Sequence, residues 1–246
     1  RPISSAASDV YKRQMHTDPF ILFGAQHIIT LIIAFSAFIF IPFAIKDKSD
    51  ALHHTAGISI AVLIFVHEVT NALNAFTFGL PWQEAVPLHL CDMSAISIAL
   101  YFIYKLKILF NCAFFWGIGG ATMAMLTPDI DYQFPHAEFV PFFYGHALVL
   151  LGVFFAVICL KERPFFSDVN KVVVISLVLA GVIYVANILL GEDANFWYLM
   201  DKPAGDTIMN FFPEPPYHLL ITTPVAISVF YLIYLPYVIS DALKKS

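Results

Sequence analysis

Phe20-Ile-Leu-Phe-Gly-Ala-Gln-His-Ile-Ile-Thr-Leu-Ile-Ile-Ala-Phe-Ser-Ala-Phe-Ile-Phe-Ile-Pro-Phe-Ala-Ile45 runs for 26 residues without one Asp, Glu, Lys or Arg. An α-helix rises about 1.5 Å per residue, so about 20 such residues cross the ~30 Å hydrocarbon core of a bilayer. The same length of apolar chain recurs at Thr55–Phe78, Ala85–Tyr104, Ile108–Pro128, Phe139–Leu160, Val172–Gly191 and Pro215–Ser240. Only helices two and three carry a charged residue, Glu68 in one and Asp92 in the other. No run shows the apolar–polar alternation of a barrel strand. The expected fold is an all-α membrane protein, a single bundle of seven transmembrane helices.

The composition points the same way. Of 246 residues, 59% are hydrophobic and 13% charged, against about half and about a quarter in a soluble domain. With 25 Phe, 11 Tyr and 3 Trp the chain is far too apolar to stay disordered. A net charge of −5 gives nucleic acid no basic face to bind. The three cysteines, at 91, 112 and 159, have no CxxC spacing and are too few for a disulfide framework. Residues 1–14, RPISSAASDVYKRQ, carry none of the apolar pattern, and one back-translation of Asp9 to Gln14 reproduces a transposon end used in preparing sequencing libraries. They are read as a non-native cloning or assembly leader, with 15–246 as the single seven-helix domain.

Loop charges set the expected orientation. The loops after helices one, three and five hold Lys46, Lys48, Lys105, Lys107, Lys161, Arg163 and Lys171, and the tail adds Lys244 and Lys245. The loops after helices two, four and six hold only Lys202. By the positive-inside rule this split puts the C-terminus in the cytoplasm and Met15, at the N-terminal end, outside. The expected location is multi-pass in a cell membrane, the bacterial plasma membrane.

Ionisable residues inside a span are costly, about 2.5–3.5 kcal/mol for a mid-helix Asp, and mark functional sites by default. In this orientation they gather in the outer half of the bundle. His27 lies in helix one, and His67 and Glu68 lie near the middle of helix two. His89, Cys91 and Asp92 open helix three, and His146 lies about two turns into helix five. Asp129, Asp131 and His136 occupy the loop between helices four and five. Structural roles stand beside the functional ones. His27 can bond a neighbouring carbonyl, and His67–Glu68 can clamp two helices, with His27 or Asn71 donating to Glu68. Asp92 can serve as a helix-start charge. Cys112 and Cys159 read as small apolar fillers, and His53 and His54 as surface residues beside a loop.

Pro87-Leu-His-Leu-Cys-Asp-Met-Ser94 is the densest stretch. Pro87 is expected in the first turn of helix three, where a missing N–H costs little. His89 and Asp92, three apart, share a face, and a thiol near a helix N-terminus has its thiolate favoured. Gly119-Gly120 has no strand before it and no Lys-Ser/Thr after it, so it reads as packing and not as a phosphate loop. Gly145 leaves space beside the imidazole of His146. A metal site can draw on His27, His67, His89, His136 and His146, but no HExxH or HxxxH pair exists, so no metal or cofactor is expected.

Pro87-Leu-His-Leu-Cys-Asp92, Gly119-Gly120, Leu126-Thr-Pro-Asp129 and Pro135-His136 followed by Phe143-Tyr-Gly-His146 resemble the YwaF-type integral membrane proteins, a family that includes the eukaryotic transmembrane protein 164. The similarity extends to Asn195-Phe-Trp-Tyr-Leu-Met-Asp-Lys-Pro203 and to Pro215-Pro216, and so covers nearly everything from Met15 onward. The resemblance implies a seven-helix fold and, from the animal member, lipid acyl transfer by a cysteine and a histidine. Carried over by position, these are Cys91 and His146. Asn195-Phe196 departs from the commoner Asn-Tyr of the family.

The function expected is phospholipid acyl transfer through a Cys–His thioester mechanism at an outer-leaflet site. His89, Asp92, Asp129, His136, His27, His67 and Glu68 are the supporting or substrate-binding candidates, and membrane phospholipid and lysophospholipid the partners. A non-enzymatic carrier or receptor, binding a small or lipid ligand in an outer cavity, is the alternative. Against transport, the inner half offers no polar path and no matching broken helices in two halves. A zinc amide hydrolase of the ceramidase kind is a third reading, opposed by His218 standing alone in helix seven.

Overall fold

A chain in lipid must satisfy its backbone polar groups within the span, and each apolar run does so as a helix. The computed structural model describes residues 18–77, 79–203 and 208–244. The leader at 1–14, Phe78 and Lys245 lie outside them. Seven helices among the described residues are long and apolar enough to cross a membrane. They are α1 (Ala25–Ile45), α2 (Asp50–Thr77), α3 (Leu90–Tyr104, whose membrane-length span Trp82–Tyr104 includes the turn before it), α4 (Lys107–Leu126), α5 (Phe139–Ile158), α6 (Phe166–Leu190) and α7 (Leu219–Leu243). No strand occurs among the described residues, only an isolated bridge between Pro19 and Tyr132.

The helix ends correct the reading of the sequence in two places. α2 begins at Asp50, so His53 lies on the helix and not beside a loop. Its side chain is buried, 7% exposed, and bonds the Ile45 carbonyl at 2.8 Å. The turn between α1 and α2 is too short to keep that ring in solvent. α3 begins at Leu90, with a separate 3-10 turn at Trp82–Ala85 before it. Pro87 therefore precedes the helix instead of opening it. Asp92 sets the boundary, because its Oδ2 accepts the His89 N–H at 2.9 Å, satisfying a donor at the helix start. The same device starts α6, where Asp168 Oδ2 accepts the Phe165 N–H at 3.0 Å.

α5 is the axis of the bundle and packs against α1, α2, α3 and α4. Small residues allow the close approaches. A methyl added at Gly152 would meet Ile98 Cγ1 at 2.9 Å, and one at Gly57 would meet Phe102 Cδ1 at 3.1 Å. Phe102, Phe110, Phe115 and Phe155 fill the interior and are essentially fully buried. α4 contains a π-helical turn at Gly117–Ala121. α7 lies at the periphery, packing on α6 and on that turn. At the end of the bundle away from Cys91, Glu162 accepts from Tyr101 Oη at 2.7 Å and pairs with Lys107. Arg163 there makes a two-pronged bond to Asp241, at 2.8 and 2.6 Å.

Candidate active site

Cys91 lies in the first turn of α3. His146 lies two turns into α5, and its Nε2 stands 3.1 Å from Cys91 Sγ. The other ring nitrogen, Nδ1, is 2.7 Å from the Phe142 carbonyl oxygen, one turn back on the same helix. A carbonyl only accepts, so Nδ1 carries the proton. In the neutral ring Nε2 is then the acceptor, facing the thiol. Phe142 also packs on the ring, with centroids 4.4 Å apart, and fixes its plane. The result is a thiol, an imidazole acceptor and an orienting carbonyl in series, the arrangement that thiol-based covalent chemistry uses.

The third helix of the site, α2, reaches α5 because a glycine precedes the histidine. A methyl at Gly145 would stand 2.1 Å from His67 Nε2, so only glycine admits the α2 imidazole here. Asn71 donates to that nitrogen at 3.0 Å, and Tyr144 packs edge-on to the ring. Neither expected partner of Glu68 serves it: Asn71 bonds His67, and His27 bonds a carbonyl. Glu68 and Asp92 both lie within electrostatic range of the Cys91 sulfur, as His67 and His89 do of His146. The sequence candidates of α2, α3 and α5 thus form one cluster.

Other candidates lie around it or apart from it. Asp129 accepts from Tyr198 Oη at 2.9 Å. Burial first, and then the Asp129 carboxylate, push the Tyr198 phenol above its ordinary value, so it keeps its proton and donates. His27 is fully engaged in a structural tie. Its Nδ1 accepts from Phe23 N–H at 3.0 Å and its Nε2 donates to Met125 O at 2.8 Å, joining α1 to the end of α4. His136 sits in the α4–α5 loop against Tyr132 and Glu138, where Glu138 Oε1 also holds the backbone of Asp131 and Tyr132. His218 is buried and bonds Tyr198 O at 2.9 Å. Among the described residues no group of three His, Cys, Asp or Glu is placed to hold a metal ion. Sequence reasoning paired Asn71 with Glu68 and not with His67, and missed the Phe142 carbonyl and Tyr198. An Asn four residues after His67 was a readable signal for the first; nothing local announces the other two.

The TMEM164 family model matches residues 22–234, which include all the residues of this cluster. An uncharacterized protein from Treponema pallidum (strain Nichols) is 30% identical over 224 residues, covering 90% of this chain and 91% of that protein. No solved structure matches the chain. Seven membrane-length helices and a family match over most of their length lead to one conclusion: the chain belongs to the TMEM164 family and is a multi-pass integral membrane protein.

Proposed function

We propose that this protein moves acyl chains between phospholipids of the outer leaflet through a thioester on Cys91. The observation that carries the reading is the 3.1 Å contact of His146 Nε2 with Cys91 Sγ, with Nδ1 held by Phe142 O. His146 takes the S–H proton, and the thiolate forms in the first turn of α3, where unpaired N–H groups favour negative charge. Sulfur attacks the ester carbonyl of a phospholipid, and the same N–H groups can donate to the oxyanion. The C–O bond breaks, His146 returns the proton to the departing lysophospholipid oxygen, and the acyl chain stays on sulfur. In the second half a lysophospholipid hydroxyl gives its proton to Nε2 and attacks the thioester. The C–S bond breaks and the thiolate recovers the proton. Atoms balance with two lipids alone.

The test uses purified protein in vesicles containing a phospholipid with a labelled acyl chain and an unlabelled lysophospholipid. Intact-mass analysis should show an acyl adduct on Cys91 that hydroxylamine removes. Cys91→Ala should abolish adduct and transfer, and His146→Ala should slow both by on the order of 10²–10⁴. Transfer by a correctly inserted Cys91→Ala variant would overturn the mechanism and favour a ligand-binding protein instead.

A further inference from the structure

The loop between α6 and α7 carries a motif with no part in the acyl-transfer steps, Asn195-Phe-Trp-Tyr198. It is unusually well fastened. The Asn187 side chain bonds both backbone groups of Phe196, at 3.0 and 2.9 Å, with both residues buried. Asn195 closes the turn on itself through Met200 and Asp201. Trp197 and Tyr198 then both adopt left-handed backbone, with φ of 60° and 51°. Two consecutive non-glycine residues there cost on the order of 1–2 kcal/mol each, so their surroundings must hold them. Trp197 Nε1 donates to Leu88 O at 2.9 Å, His218 Nε2 donates to Tyr198 O at 2.9 Å, and Tyr198 Oη donates to Asp129 Oδ2 at 2.9 Å.

These anchors lay the turn across the start of α3. The Phe196 ring packs edge-on to His89 at 4.9 Å, and the Tyr198 ring lies 6.3 Å from the same imidazole, two residues before Cys91. Trp197 closes the flank against Trp116 at 6.4 Å. One of the anchors is different in kind. The Leu88 and His218 bonds each pair a side chain with a main-chain carbonyl, whereas Tyr198–Asp129 joins two loop side chains, and it is the one that spans from the α6–α7 loop to the α4–α5 side. Strain held in a turn over a reactive residue is the pattern of a functional device.

We infer that this turn is the acceptor filter of the site: closed by the Tyr198–Asp129 hydrogen bond, it keeps loop-side water from the Cys91 thioester, so that a lipid hydroxyl arriving from the membrane takes the acyl chain. The inference rests on the acyl-transfer reading for its chemistry. The competing step is balanced in the same way. Water would give a proton to His146 Nε2 and its oxygen to the acyl carbon, the C–S bond would break, and a free fatty acid would leave with the thiol restored.

Two readouts test it on the full chain. In the vesicle assay, the ratio of free fatty acid to transferred acyl chain is independent of how much protein folds. Tyr198→Phe and Asp129→Ala should raise that ratio on the order of tenfold, as expected for loss of one hydrogen bond to a charged group. Asp129→Asn, whose amide oxygen still accepts from Tyr198, should stay near the wild-type ratio. The second readout needs no catalysis: with Cys112 and Cys159 replaced by Ala, Cys91 should react faster with a charged, water-soluble methanethiosulfonate in the Tyr198→Phe background. An acylated Cys91 with ratio and labelling rate unmoved by Tyr198→Phe would overturn the filter and leave acyl transfer standing. Faster labelling with no acyl adduct in any variant would uphold the cover over Cys91 and sink the acyl-transfer reading beneath it.

Discussion

His67 and Gly145 illustrate how single residues set this site. The imidazole on α2 occupies the volume a side chain at 145 would need, with 2.1 Å between His67 Nε2 and an added methyl carbon. Gly145→Ala should therefore lower the melting temperature in detergent, at a cost of about 1–3 kcal/mol from overpacking. In a His67→Ala background the same change should cost much less, because the clash has gone; a cycle showing strict additivity would mean the two do not touch. Tyr198 supplies a pH-dependent counterpart. Its phenol is held above the ordinary value by burial and by Asp129, so the folded state keeps a proton that the unfolded chain releases near pH 10. The stability this gives is complete below that pH and is lost as pH rises through the folded value. Wild type should fall toward Tyr198→Phe in melting temperature above about pH 10, and a constant gap between them would contradict the assignment.

At the level of elements, the glycines of α4 separate into those that are needed and those that are not. A methyl at Gly117 would meet Val149 Cγ1 at 2.8 Å, whereas one at Gly120 would meet only Leu90 Cδ2, at an ordinary 3.8 Å. Gly117→Ala should reduce folding yield and thermal stability, and Gly120→Ala should leave both nearly unchanged. Equal losses would show that the π turn itself, and not its neighbours, demands glycine. Gly119, with Val229 at 3.4 Å, is the seat of α7, which supports the packing reading for that glycine but not for Gly120. The contrast explains what the sequence could reveal. Seven spans were legible because bilayer thickness sets their length, and Phe139 was placed correctly as the start of α5. The start of α3 was not, because a carboxylate cap three residues in overruled the proline. Cys91 and His146 were legible as a pair only through matching depth and family resemblance, since helix faces cannot be read without knowing the neighbours. Tyr198 and Asp129 are 69 residues apart in two loops, and no periodicity links loops.

Across the whole molecule the charges are polarised along the bundle. The turns at the far end from Cys91 hold Lys46, Lys105, Lys107, Lys161 and Arg163, and the Cys91 end holds Glu84, Asp129, Glu192, Asp193 and Glu214. Pairing of Lys107 with Glu162 and of Arg163 with Asp241 does not cancel this bias. The insertion rule counts Lys and Arg near the span ends, and acidic residues contribute little. The expected topology therefore has the Lys–Arg end in the cytoplasm and Cys91 in the outer leaflet. Its consequence is chemical as well as topological, because orientation decides which leaflet supplies the donor and acceptor lipids. A cysteine introduced at Glu192, just past the end of α6, should be labelled in intact cells by a membrane-impermeant maleimide. A cysteine at Lys46, just past α1, should be labelled only after the membrane is opened. The reverse pattern would turn the protein over and move the proposed reaction to the cytoplasmic leaflet, with the Cys91–His146 geometry intact. Labelling of both sites from outside would mean that two populations insert in opposite senses, and the charge bias would then be too weak to direct this bundle.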